Sequence, residues 1–469
     1  MIPVCTAAQT RALDAELINQ VGIHGRTLME VAGRGVAEII HERFPSGDIA
    51  ILCGTGNNGG DGYVAARWLT HWGRTVRLSG TACTTEDAQF NRHLCEQLNL
   101  PFLSAKEALL DADITVDALL GTGTTRPPDN ELAKTIAQIN GQPCVVAIDI
   151  PTGIHTDTGA VLGMAVKADV TVTLGRWKTG LLAAPGCDHA GDVYCVDIGF
   201  EQVGTINPQL LKPAAFLLES VDIARWRPQV GPSHAKWDRG HVGIIGDGGA
   251  ATLAAHGAFR GGAGLVTLFA PKAMWESFHG LWPEVILAEI ESLDPHRHDV
   301  LVLGPGLGTH RIDLVCDLWT NHPGAVVADA DALTILAQNT LTTPTGQARV
   351  ITPHTAEAGR LLGLTRAEVE ADRFGAARAL SNIALPILKG PHTLIGGQTL
   401  WINPTGTNKL ATAGTGDVLA GMVGGLLAAG VQSKKAAAIS VWDHGLASDR
   451  MPNGGTASDL INALQGREP

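Results

Sequence analysis

Short apolar runs alternate with amphipathic stretches along most of this chain. Between residues 48 and 200 the apolar runs are GDIAILC, TVRLSG, ADITVDALLG, PCVVAIDIPTG, ADVTVTLG and GDVYCVDIG, and DGYVAARWLTHWG is the first helical stretch among them. Strands that alternate with helices are typical of a parallel sheet. Two helical patterns precede them, near residues 10–19 and 26–44, and the second has apolar residues at i, i+3 and i+4 spacing. We expect these helices to pack on the sheet.

A second series of the same kind follows a stretch in which the periodicity lapses. In residues 201–240 prolines recur at positions 208, 213, 228 and 232. The later runs are HVGIIGDGG, LVTLFA, DVLVLGPGLG, GAVVADADAL, ARVITPH, LPILKG, HTLIGG and QTLWINP, and we expect three helices after them. Antiparallel pairs are expected only near residues 394–402. The pattern therefore predicts two α/β domains that share no fixed-period repeat.

Composition narrows the function classes. The chain has 469 residues, with 34 Lys+Arg against 46 Asp+Glu and a net charge of −12, and no basic cluster interrupts the acidic balance. A dedicated nucleic-acid binder is therefore excluded. No apolar run approaches the roughly 18 residues of a membrane span, and MIPVCTAAQTR has no basic segment before an apolar core. We expect a cytoplasmic, globular protein with no membrane partner.

Cysteine and glycine usage adds two expectations. The eight cysteines are scattered, with no CxxC pair and no closely spaced His/Cys set, so we expect reduced thiols and no zinc site. Glycine is abundant, at 57 residues, but glycine and proline together fall short of a low-complexity composition. The glycines must therefore have structural roles at particular positions in the chain.

One glycine-rich turn follows the first strand of the main series. Residues 54–59, GTGNNG, match G-x-G-x-x-G, but no acidic residue ends the next strand, which disfavours a redox dinucleotide site. Gly60 and Asp61 stand where a P-loop needs Lys and Ser/Thr. Backbone N–H groups at a helix N-terminus, with Asn57, Asn58 and Asp61 beside them, suit a phosphate and a hydroxyl-rich ligand. A plain strand-to-helix turn with an Asp cap is the alternative.

Polar residues stand at further strand ends in the first half. Asp117, Asp149 and Lys178 each lie at or just after the carboxyl end of an apolar run, where open α/β sheets bind ligands. Asp117, Asn58 and Thr152 would supply hard oxygen ligands, which suit an alkali or alkaline-earth ion. Any one of them could instead cap the following turn.

In the second half, the sequence AGTGD at 413–417 precedes the helix VLAGMVGGLLAAG. Small residues let the backbone approach a phosphate, and the positive helix end favours the ionised form of Asp417, which could then act as a base. A glycine-rich cap with an Asp is the alternative. At other strand ends, Lys389 could meet a phosphate, and His354 could meet a polar group of the substrate or be a structural histidine. For Asp329 and Asp331, the choice between metal or nucleotide support and solvated turn carboxylates stays open. GxSxG, HExxH and kinase catalytic-loop patterns do not occur, which leaves phosphate handling.

At this point the motifs resemble a known family in both halves. LMEVAG, NNGGDG, DALLGTGTTR and AIDIPTGIHTDTG resemble the NAD(P)HX epimerase domain. HAKWDRGHVGIIG, GAGLVTL, VLGPGLG, DADAL, TPHTAE, LKG and ATAGTGDVLAGM resemble the ADP-dependent NAD(P)HX dehydratase, a member of the ribokinase-like superfamily. In this order they resemble the bifunctional NAD(P)H-hydrate repair enzymes. The resemblance implies an N-terminal Rossmann-like three-layer α/β/α epimerase domain, residues 1–216, and a C-terminal ribokinase-like α/β dehydratase domain, residues 217–469.

The resemblance also implies a reaction sequence. R- and S-NAD(P)HX, the hydrated forms of NADH and NADPH, would be interconverted with Asp149 as the acid/base. The S epimer would be dehydrated to NAD(P)H with Asp417 as the base and with release of AMP and phosphate. ADP or ATP is the implied co-substrate, with Mg²⁺ accompanying it and K⁺ in the epimerase site. NADHX, NADPHX and ADP are the expected partners, and we expect a homo-oligomer.

The site residues implied by the resemblance fall into three groups. For the substrate they are Asn57, Asn58, Gly59, Gly60, Asp61, Gly121, Thr122, Gly123, Thr124, Thr125, Arg126, Pro127, Asp149, Gly306, His354 and Asp417. For the nucleotide they are Lys389, Gly390, Gly414, Thr415 and Gly416. For potassium they are Asn58, Asp117 and Thr152. The rival hypothesis is an ATP-dependent kinase for a vitamin precursor, fused to a non-catalytic dinucleotide-binding module.

Overall fold

The computed structural model describes residues 1–229, 231–278, 280–339, 343–344 and 346–465. The chain divides into two compact units, Pro3–Ala215 and Phe216–Pro469, and Met1–Ile2 belong with the second. Among the described residues, no helix combines the length and the apolar character needed to cross a membrane.

The elements up to residue 217 come mostly from the alternation seen in the sequence. The strands are β1 (Ile2–Cys5), β2 (Ile49–Cys53), β3 (Val76–Gly80), β4 (Ile114–Ala118), β5 (Val145–Ile148), β6 (Val170–Leu174), β7 (Trp177–Lys178), β8 (Asp192–Val196) and β9 (Ala215–Leu217). The α-helices are α1 (Ala7–Glu16), α2 (Gly25–Arg43), α3 (Asn57–His71), α4 (Glu86–Gln97), α5 (Ala105–Leu109), α6 (Asn130–Ile139) and α7 (Gly186–Ala190). A π-helical turn, Leu17–Val21, extends α1, and 3₁₀ turns lie at Thr179–Leu181, Phe200–Thr205 and Pro208–Leu211.

The elements beyond residue 217 follow the same alternation. The strands are β10 (His241–Ile245), β11 (Leu265–Ala270), β12 (Ile286–Glu289), β13 (Val300–Leu303), β14 (Ala325–Ala328), β15 (Arg349–Ile351), β16 (Leu385–Leu388), β17 (Leu394–Ile395) and β18 (Leu400–Ile402). The α-helices are α8 (Ser220–Trp226), α9 (Gly248–Gly261), α10 (Ile312–Asn321), α11 (Asp331–Gln338), α12 (Thr355–Leu362), α13 (Arg366–Ala371), α14 (Arg373–Leu380), α15 (Thr415–Ala428), α16 (Ser433–Asp449) and α17 (Ala457–Ala463). Turns of 3₁₀ type lie at Lys236–Arg239, Lys272–Ser277, Ile290–Ser292, Pro295–Arg297 and Asn408–Leu410.

The first unit is a three-layer α/β/α domain. Its main sheet has the order β3-β2-β4-β5-β6-β8, and every neighbouring pair is parallel. Alternate residues of β2 face opposite layers, so that Ile51 packs with α2, α3 and α4 and Leu52 packs with α5 and α6. The predicted parallel sheet and its six strands are therefore confirmed. The strand order turns back between β2 and β4, which is the position where doubly wound sheets bind ligands.

The second unit is also mainly parallel. Strands run in the order β12-β11-β10-β13-β14-β15-β16 in parallel, and β17 and β18 then add antiparallel pairs, as expected for residues 394–402. Its strand order turns back between β10 and β13. The edge strand β12 has no counterpart among the predicted strands. The apolar run VILA at residues 285–288 coincides with it, and Ile286 is 48% exposed at this edge of the sheet.

Close backbone contact fixes helix α15 against α9. A Cβ atom added at any of four glycines on these helices would lie only 1.9–2.3 Å from a carbonyl oxygen of the facing helix. No real side chain fits at that distance, so the glycines permit the two backbones to touch. The four residues are Gly257, Gly261, Gly421 and Gly425. This packing sets the position of the α15 N-terminus, and with it that of Asp417.

Candidate active sites

In the first unit, α3 begins at the point where the strand order turns back. The turn after β2 leads into Asn57, and Gly56 caps the helix. A Cβ at Gly54 would lie 1.8 Å from the carbonyl oxygen of Leu119, and one at Gly59 would lie 2.1 Å from that of Gly54. Only glycine therefore lets this turn approach the loop after β4. The turn opens a helix, as the sequence predicted. The first N–H groups of α3 therefore have no partners within the helix.

Two polar side chains converge beside Gly121 in the loop after β4. The position of a Cβ atom at Gly121 would be 3.2 Å from Oδ1 of Asn58 and 3.1 Å from Oδ2 of Asp149. Both amide atoms of Asn58 are buried and have no hydrogen-bond partner among the described residues. A buried amide without partners is costly unless a ligand or ion completes it.

Asp149 is held in an unusual backbone conformation. Its φ is +67°, in the left-handed region that non-glycine residues seldom adopt. Oδ1 accepts a hydrogen bond of 2.5 Å from the Nζ of Lys178, and Oδ2 accepts one of 3.2 Å from the backbone N–H of Thr122. Lys178 is fully buried. The structure thus brings together two of the strand-end residues that the sequence singled out separately.

The carboxylate of Asp117 pairs with Thr152 deep in the same unit. Oδ1 accepts the Thr152 hydroxyl at 2.7 Å, and Oδ2 accepts the Thr152 N–H at 2.8 Å. Burial raises the pKa of Asp117 to about 6, although the bonds from Thr152 work to lower it. The Thr152 hydroxyl also accepts the N–H of Leu120 at 3.0 Å, next to Gly121. Two of the three predicted potassium ligands therefore contact each other, and the third lies beside the adjoining residue.

Two more carboxyl groups surround the Asp149–Lys178 pair. Burial raises the pKa of Asp61 well above its ordinary value, and the charges of Asp149 and Asp14 raise it further. Burial also raises the pKa of Asp14 to about 6, against the opposing effect of Lys178. The sequence analysis did not identify Asp14. Its only signal was its place on the apolar side of α1, next to the buried Leu13.

The remaining predicted substrate residues of this unit differ in their exposure to solvent. In the loop after β4, the N–H and hydroxyl of Thr124 both donate to the carbonyl of Gly121, at 3.2 and 3.0 Å, which folds the loop back on itself. Gly59 and Gly60 are buried in α3. The side of the site open to solvent consists of Asn57, Gly123, Thr125, Arg126 and Pro127.

In the second unit, Lys389 stands at the N-terminus of α15. Its Nζ lies 3.1 Å from the position that a Cβ at Gly416 would take. Gly414 caps the helix with a φ of +88°, and the Thr415 hydroxyl donates to the carbonyls of Leu410 and Thr412, at 2.8 and 3.0 Å. The Thr415 side chain therefore holds the turn, and the backbone N–H groups together with Lys389 form an arrangement that can attract an anion.

Lys389 is already paired with an acidic residue whose role the sequence left open. Its Nζ donates to Oδ1 of Asp329 at 2.9 Å, and Asp329 is buried. Burial works against the charge of Lys389, but Asp329 and Glu357 raise the pKa of the ammonium above its ordinary value. The other open residue, Asp331, accepts the N–H of Gly308 at 2.8 Å. Asp329 is thus part of the charge system, and Asp331 shapes the glycine loop.

Asp417 has a pKa suited to proton transfer near neutral pH. Burial, followed by the charge of Asp329, raises this pKa to about 7, while Lys389 lowers it. The sequence argument considered only the helix end, which favours the ionised form, and was therefore incomplete. A carboxyl group that titrates near neutral pH can both accept and release a proton under physiological conditions.

The structure gives His354 a definite structural contact. Its Nδ1 accepts the N–H groups of Ala356 and Glu357, at 3.1 and 3.2 Å, and Oε2 of Glu357 accepts the N–H of His354 at 2.8 Å. This is a capping box at the start of α12. The ring is half-exposed, Nδ1 is engaged, and Nε2 lies 3.5 Å from Oε1 of Glu357, so a substrate could meet the ring only at Nε2, beside that carboxylate.

Two glycines complete the predicted residues of this unit. Gly306 is exposed and has a φ of +67° in the loop after β13. Gly390 has a φ of +140°, and a Cβ there would lie 2.4 Å from the Arg373 guanidinium. Among the described residues, no group of three or more His, Cys, Asp or Glu side chains could hold a metal ion.

Comparison with known proteins gives consistent matches over the whole chain. Residues 25–180 match a family described as YjeF-related protein N-terminus, and residues 242–466 match the family NAD(P)H-hydrate dehydratase. Proteins named bifunctional NAD(P)H-hydrate repair enzyme Nnr are similar to it. The one from Coxiella burnetii is 36% identical, with 97% of this chain and 96% of the relative covered. The one from Escherichia coli is 32% identical, with coverages of 98% and 92%.

Solved structures match about half of the chain. An ADP/ATP-dependent NAD(P)H-hydrate dehydratase from Bacillus subtilis, co-crystallised with ATP/Mg²⁺, has a TM-score of 0.49 and 24% identity, and covers 53% of this chain and 96% of its own. A ribokinase-like superfamily protein from Enterococcus faecalis has a TM-score of 0.48 and 24% identity, with coverages of 54% and 94%.

Proposed function

The chain belongs to the family of bifunctional NAD(P)H-hydrate repair enzymes, and from that premise we propose how its two units divide the repair of hydrated nicotinamide cofactors. The observation that carries the function is similarity over nearly the full length, 36% identity across 97% of the chain for one relative. We assign epimerisation at C6 of NADHX and NADPHX to the unit Pro3–Ala215, and dehydration of the S epimer to Phe216–Pro469.

Dehydration requires a better leaving group than hydroxide. In the proposed step, Asp417 removes the proton of the C6 hydroxyl, and the resulting oxygen attacks the terminal phosphorus of ADP while AMP leaves. The ring nitrogen then expels phosphate from C6, and transfer of a proton from C5 to the departing phosphate or to water restores the C5=C6 bond of NAD(P)H. The titration of Asp417 near pH 7 supports its role as this base. Its position in the first turn of α15 places it beside the proposed phosphate site.

Three features support nucleotide binding at the start of α15. The N–H groups of the helix end, the ammonium of Lys389 and the glycines at 390, 414 and 416 leave room and positive potential for phosphates. Mg²⁺ would be bound mainly by the nucleotide phosphates, because the described residues offer no ready-made set of acidic or histidine ligands. We place the substrate near Gly306 and the Nε2 side of His354.

Epimerisation is proposed to use Asp149. Its Oδ2 faces Gly121 and is joined to the protein by one 3.2 Å bond, from the N–H of Thr122. As a base, that oxygen can take the proton of the C6 hydroxyl and return it to N1 as the C6–N1 bond breaks to give an open aldehyde, and re-closure on either face of the aldehyde interconverts the epimers. The turn 57–61 and the loop 121–127 would hold the dinucleotide, because both meet where the strand order turns back.

A potassium ion fits the oxygen-rich pocket behind this turn. Oδ1 of Asn58 is buried without a described partner, and Asp117 and Thr152 add a carboxylate and a hydroxyl close to the same loop. Such hard oxygen donors suit an alkali cation, and a bound ion would add positive charge beside the substrate. We therefore propose that Asn58, Asp117 and Thr152 hold K⁺.

Two full-length variants test this division of labour. Given a mixture of NADHX epimers and ADP, D149N should convert the S epimer rapidly and then slow to the rate of spontaneous epimerisation. Adding D417N, which would retain only the epimerase activity, should restore fast conversion of the remainder. Full conversion by D149N at one uniform rate would refute the role of Asp149. A stable phosphorylated product in place of NADH would identify the second unit as a kinase.

The choice between ADP and ATP belongs to the same assay. We propose ADP as the co-substrate, with AMP and phosphate released in amounts equal to the NADH formed. NADH formation without AMP would show that the nucleotide has only a structural role. Homo-oligomerisation and a cytoplasmic location remain predictions from the sequence.

A further inference from the structure

All three protons of the Lys178 ammonium are engaged. Nζ donates to Oδ1 of Asp149 at 2.5 Å, to the carbonyl of Leu174 at 2.7 Å and to the hydroxyl of Thr173 at 3.0 Å. The side chain is 0% exposed. With three acceptors and no contact with solvent, this lysine is a charged, fixed donor, and it is not placed to touch a substrate itself.

The two oxygens of Asp149 have different environments as a result. Oδ1 points into the protein, where Lys178 and, at 3.4 Å, the N–H of Leu174 approach it. Oδ2 lies beside Gly121 and accepts only the N–H of Thr122 among the hydrogen bonds found for it in the described residues. One oxygen is therefore bound by the protein interior, and the other faces the loop that would hold the substrate.

The backbone of Asp149 also needs this support. A φ of +67° is strained for a residue with a Cβ, and such strain persists only where surrounding contacts impose it. The N–H of Asp149 is fixed to the carbonyl of Val172 at 2.8 Å, and the Lys178 bond fixes the other end of the residue. Both contacts come from β6 and the segment directly after it.

Carboxyl groups and two thiols, Cys5 and Cys195, interact with the pair, and Arg176 also acts on both thiols. Asp61 on α3 and Asp14 on α1 both act electrostatically on Asp149 or on Lys178. Lys178 is thus the cation that offsets three neighbouring carboxyl groups. Without it, repulsion between the carboxylates would favour protonation of the group proposed as the acid/base.

We propose that Lys178 is the positioning residue of the epimerase site, holding the carboxylate of Asp149 turned so that Oδ2 meets the substrate. This inference rests on the proposed role of Asp149. Lys178 acts through that carboxylate, so its removal should lower kcat for epimerisation while KM stays within about twofold. It should also move the acid limb of the rate profile to higher pH, because the carboxylate loses its counter-charge.

The test uses the full-length K178M protein and R-NADHX, with excess D149N protein and ADP so that epimerisation limits NADH formation. We expect a fall in kcat of at least about 10-fold, an acid limb displaced upward by about one pH unit or more, and an unchanged dehydratase rate on S-NADHX. The matched control is Thr173→Val, which removes one acceptor of Lys178 but keeps the bond to Asp149. It should retain kcat within about threefold and an undisplaced limb.

Further results separate the possible failures. If K178M does not fold, Lys178→Gln, which keeps a donor but not the charge, should fold and show the same displacement. Loss of activity with an undisplaced limb, or a rise in KM alone, would overturn the positioning role. In the double variant D149N/K178M, the K178M substitution should reduce the epimerisation rate little below that of D149N alone. Full epimerase activity in D149N would refute the proposed function of Asp149 itself.

Discussion

The ammonium of Lys389 lies 2.9 Å from Oδ1 of Asp329, so the cation proposed to meet a phosphate is already paired with a buried carboxylate. The pair stands directly beside Gly416 at the start of α15. Breaking it would leave a buried charge without a partner, which costs far more than the loss of a surface ion pair. The same carboxylate raises the pKa of Asp417, so one residue acts on both the proposed phosphate-binding cation and the proposed base.

Replacing Asp329 by Asn should shift the pH dependence of dehydration to lower pH. Burial and the Asp329 charge raise the pKa of Asp417 to about 7, and the base form exists above that value. Removing the charge lowers this pKa, so the acid limb of kcat should move down. The measurement is the pH profile of NADH formation at saturating S-NADHX and ADP. Asp331→Asn, at a carboxylate with a weaker effect on Asp417, should give a smaller shift; an upward shift in D329N would contradict the argument.

Asp417→Asn should reduce dehydration by about 10²-fold or more, because that is the scale of losing a general base. Epimerisation, assigned to the other unit, should continue at the parental rate. Both rates can be followed on separated epimers. Asp313→Asn, which removes one negative charge at an exposed position of α10, serves as the control and should leave both rates unchanged. Parental dehydration by D417N would remove Asp417 as the base.

Potassium should activate epimerisation through Asn58. Because the amide of this residue is buried without a described partner, a bound cation would complete it, and wild-type epimerisation should increase when K⁺ replaces tetramethylammonium. Asn58→Ala should abolish most of this response. Asn57→Ala changes the exposed neighbour and should preserve the K⁺ response even if substrate binding weakens. Equal responses in both variants would place the ion elsewhere.

Gly421→Ala should destabilise the second unit. The added Cβ would lie 1.9 Å from the carbonyl of Ala254, so α9 and α15 would have to separate. Overpacking of this kind costs about 3 kcal/mol of unfolding free energy, and it should also displace Asp417 and reduce dehydration. Gly249→Ala, where a Cβ meets open space, is the control and should be neutral or slightly stabilising. Denaturant unfolding measures the stability of the two variants, and a separate assay of the folded proteins compares their dehydratase activity.

The second unit should become less stable as the pH falls from 6.5 towards 4. His322 is 1% exposed, and burial, followed by Arg349, lowers its pKa from 6.5 to about 4. In that range the unfolded chain binds a proton that the folded chain does not, so the free energy of unfolding rises with pH. The share of His322 is at most about 3 kcal/mol. His322→Leu should flatten the dependence measured by urea unfolding, while His310→Gln, at an exposed site, should leave its slope unaltered.

The sequence alone determined the sheets and the places where ligands could bind. Apolar runs such as IAILC and VVAI report burial on both faces, and the helices between them require parallel strands. Because parallel strands end at one edge of a sheet, Asp149 and Lys389 could be assigned to ligand-binding edges without a structure. The sequence analysis did not include β12, although the short apolar run VILA at residues 285–288 coincides with it.

Only the tertiary structure decided which charges face one another. Lys178 contacts Asp149 across 29 residues, and Lys389 contacts Asp329 across 60, distances along the chain at which no local pattern specifies a partner. Asp14 lies near the Asp149–Lys178 pair only because α1 folds against it. His354 caps α12, and the TPHTAE motif alone did not indicate that capping contact. Local sequence records which residues are buried. Pairing and pKa depend on the field of all neighbours, and that field exists only once the chain has folded.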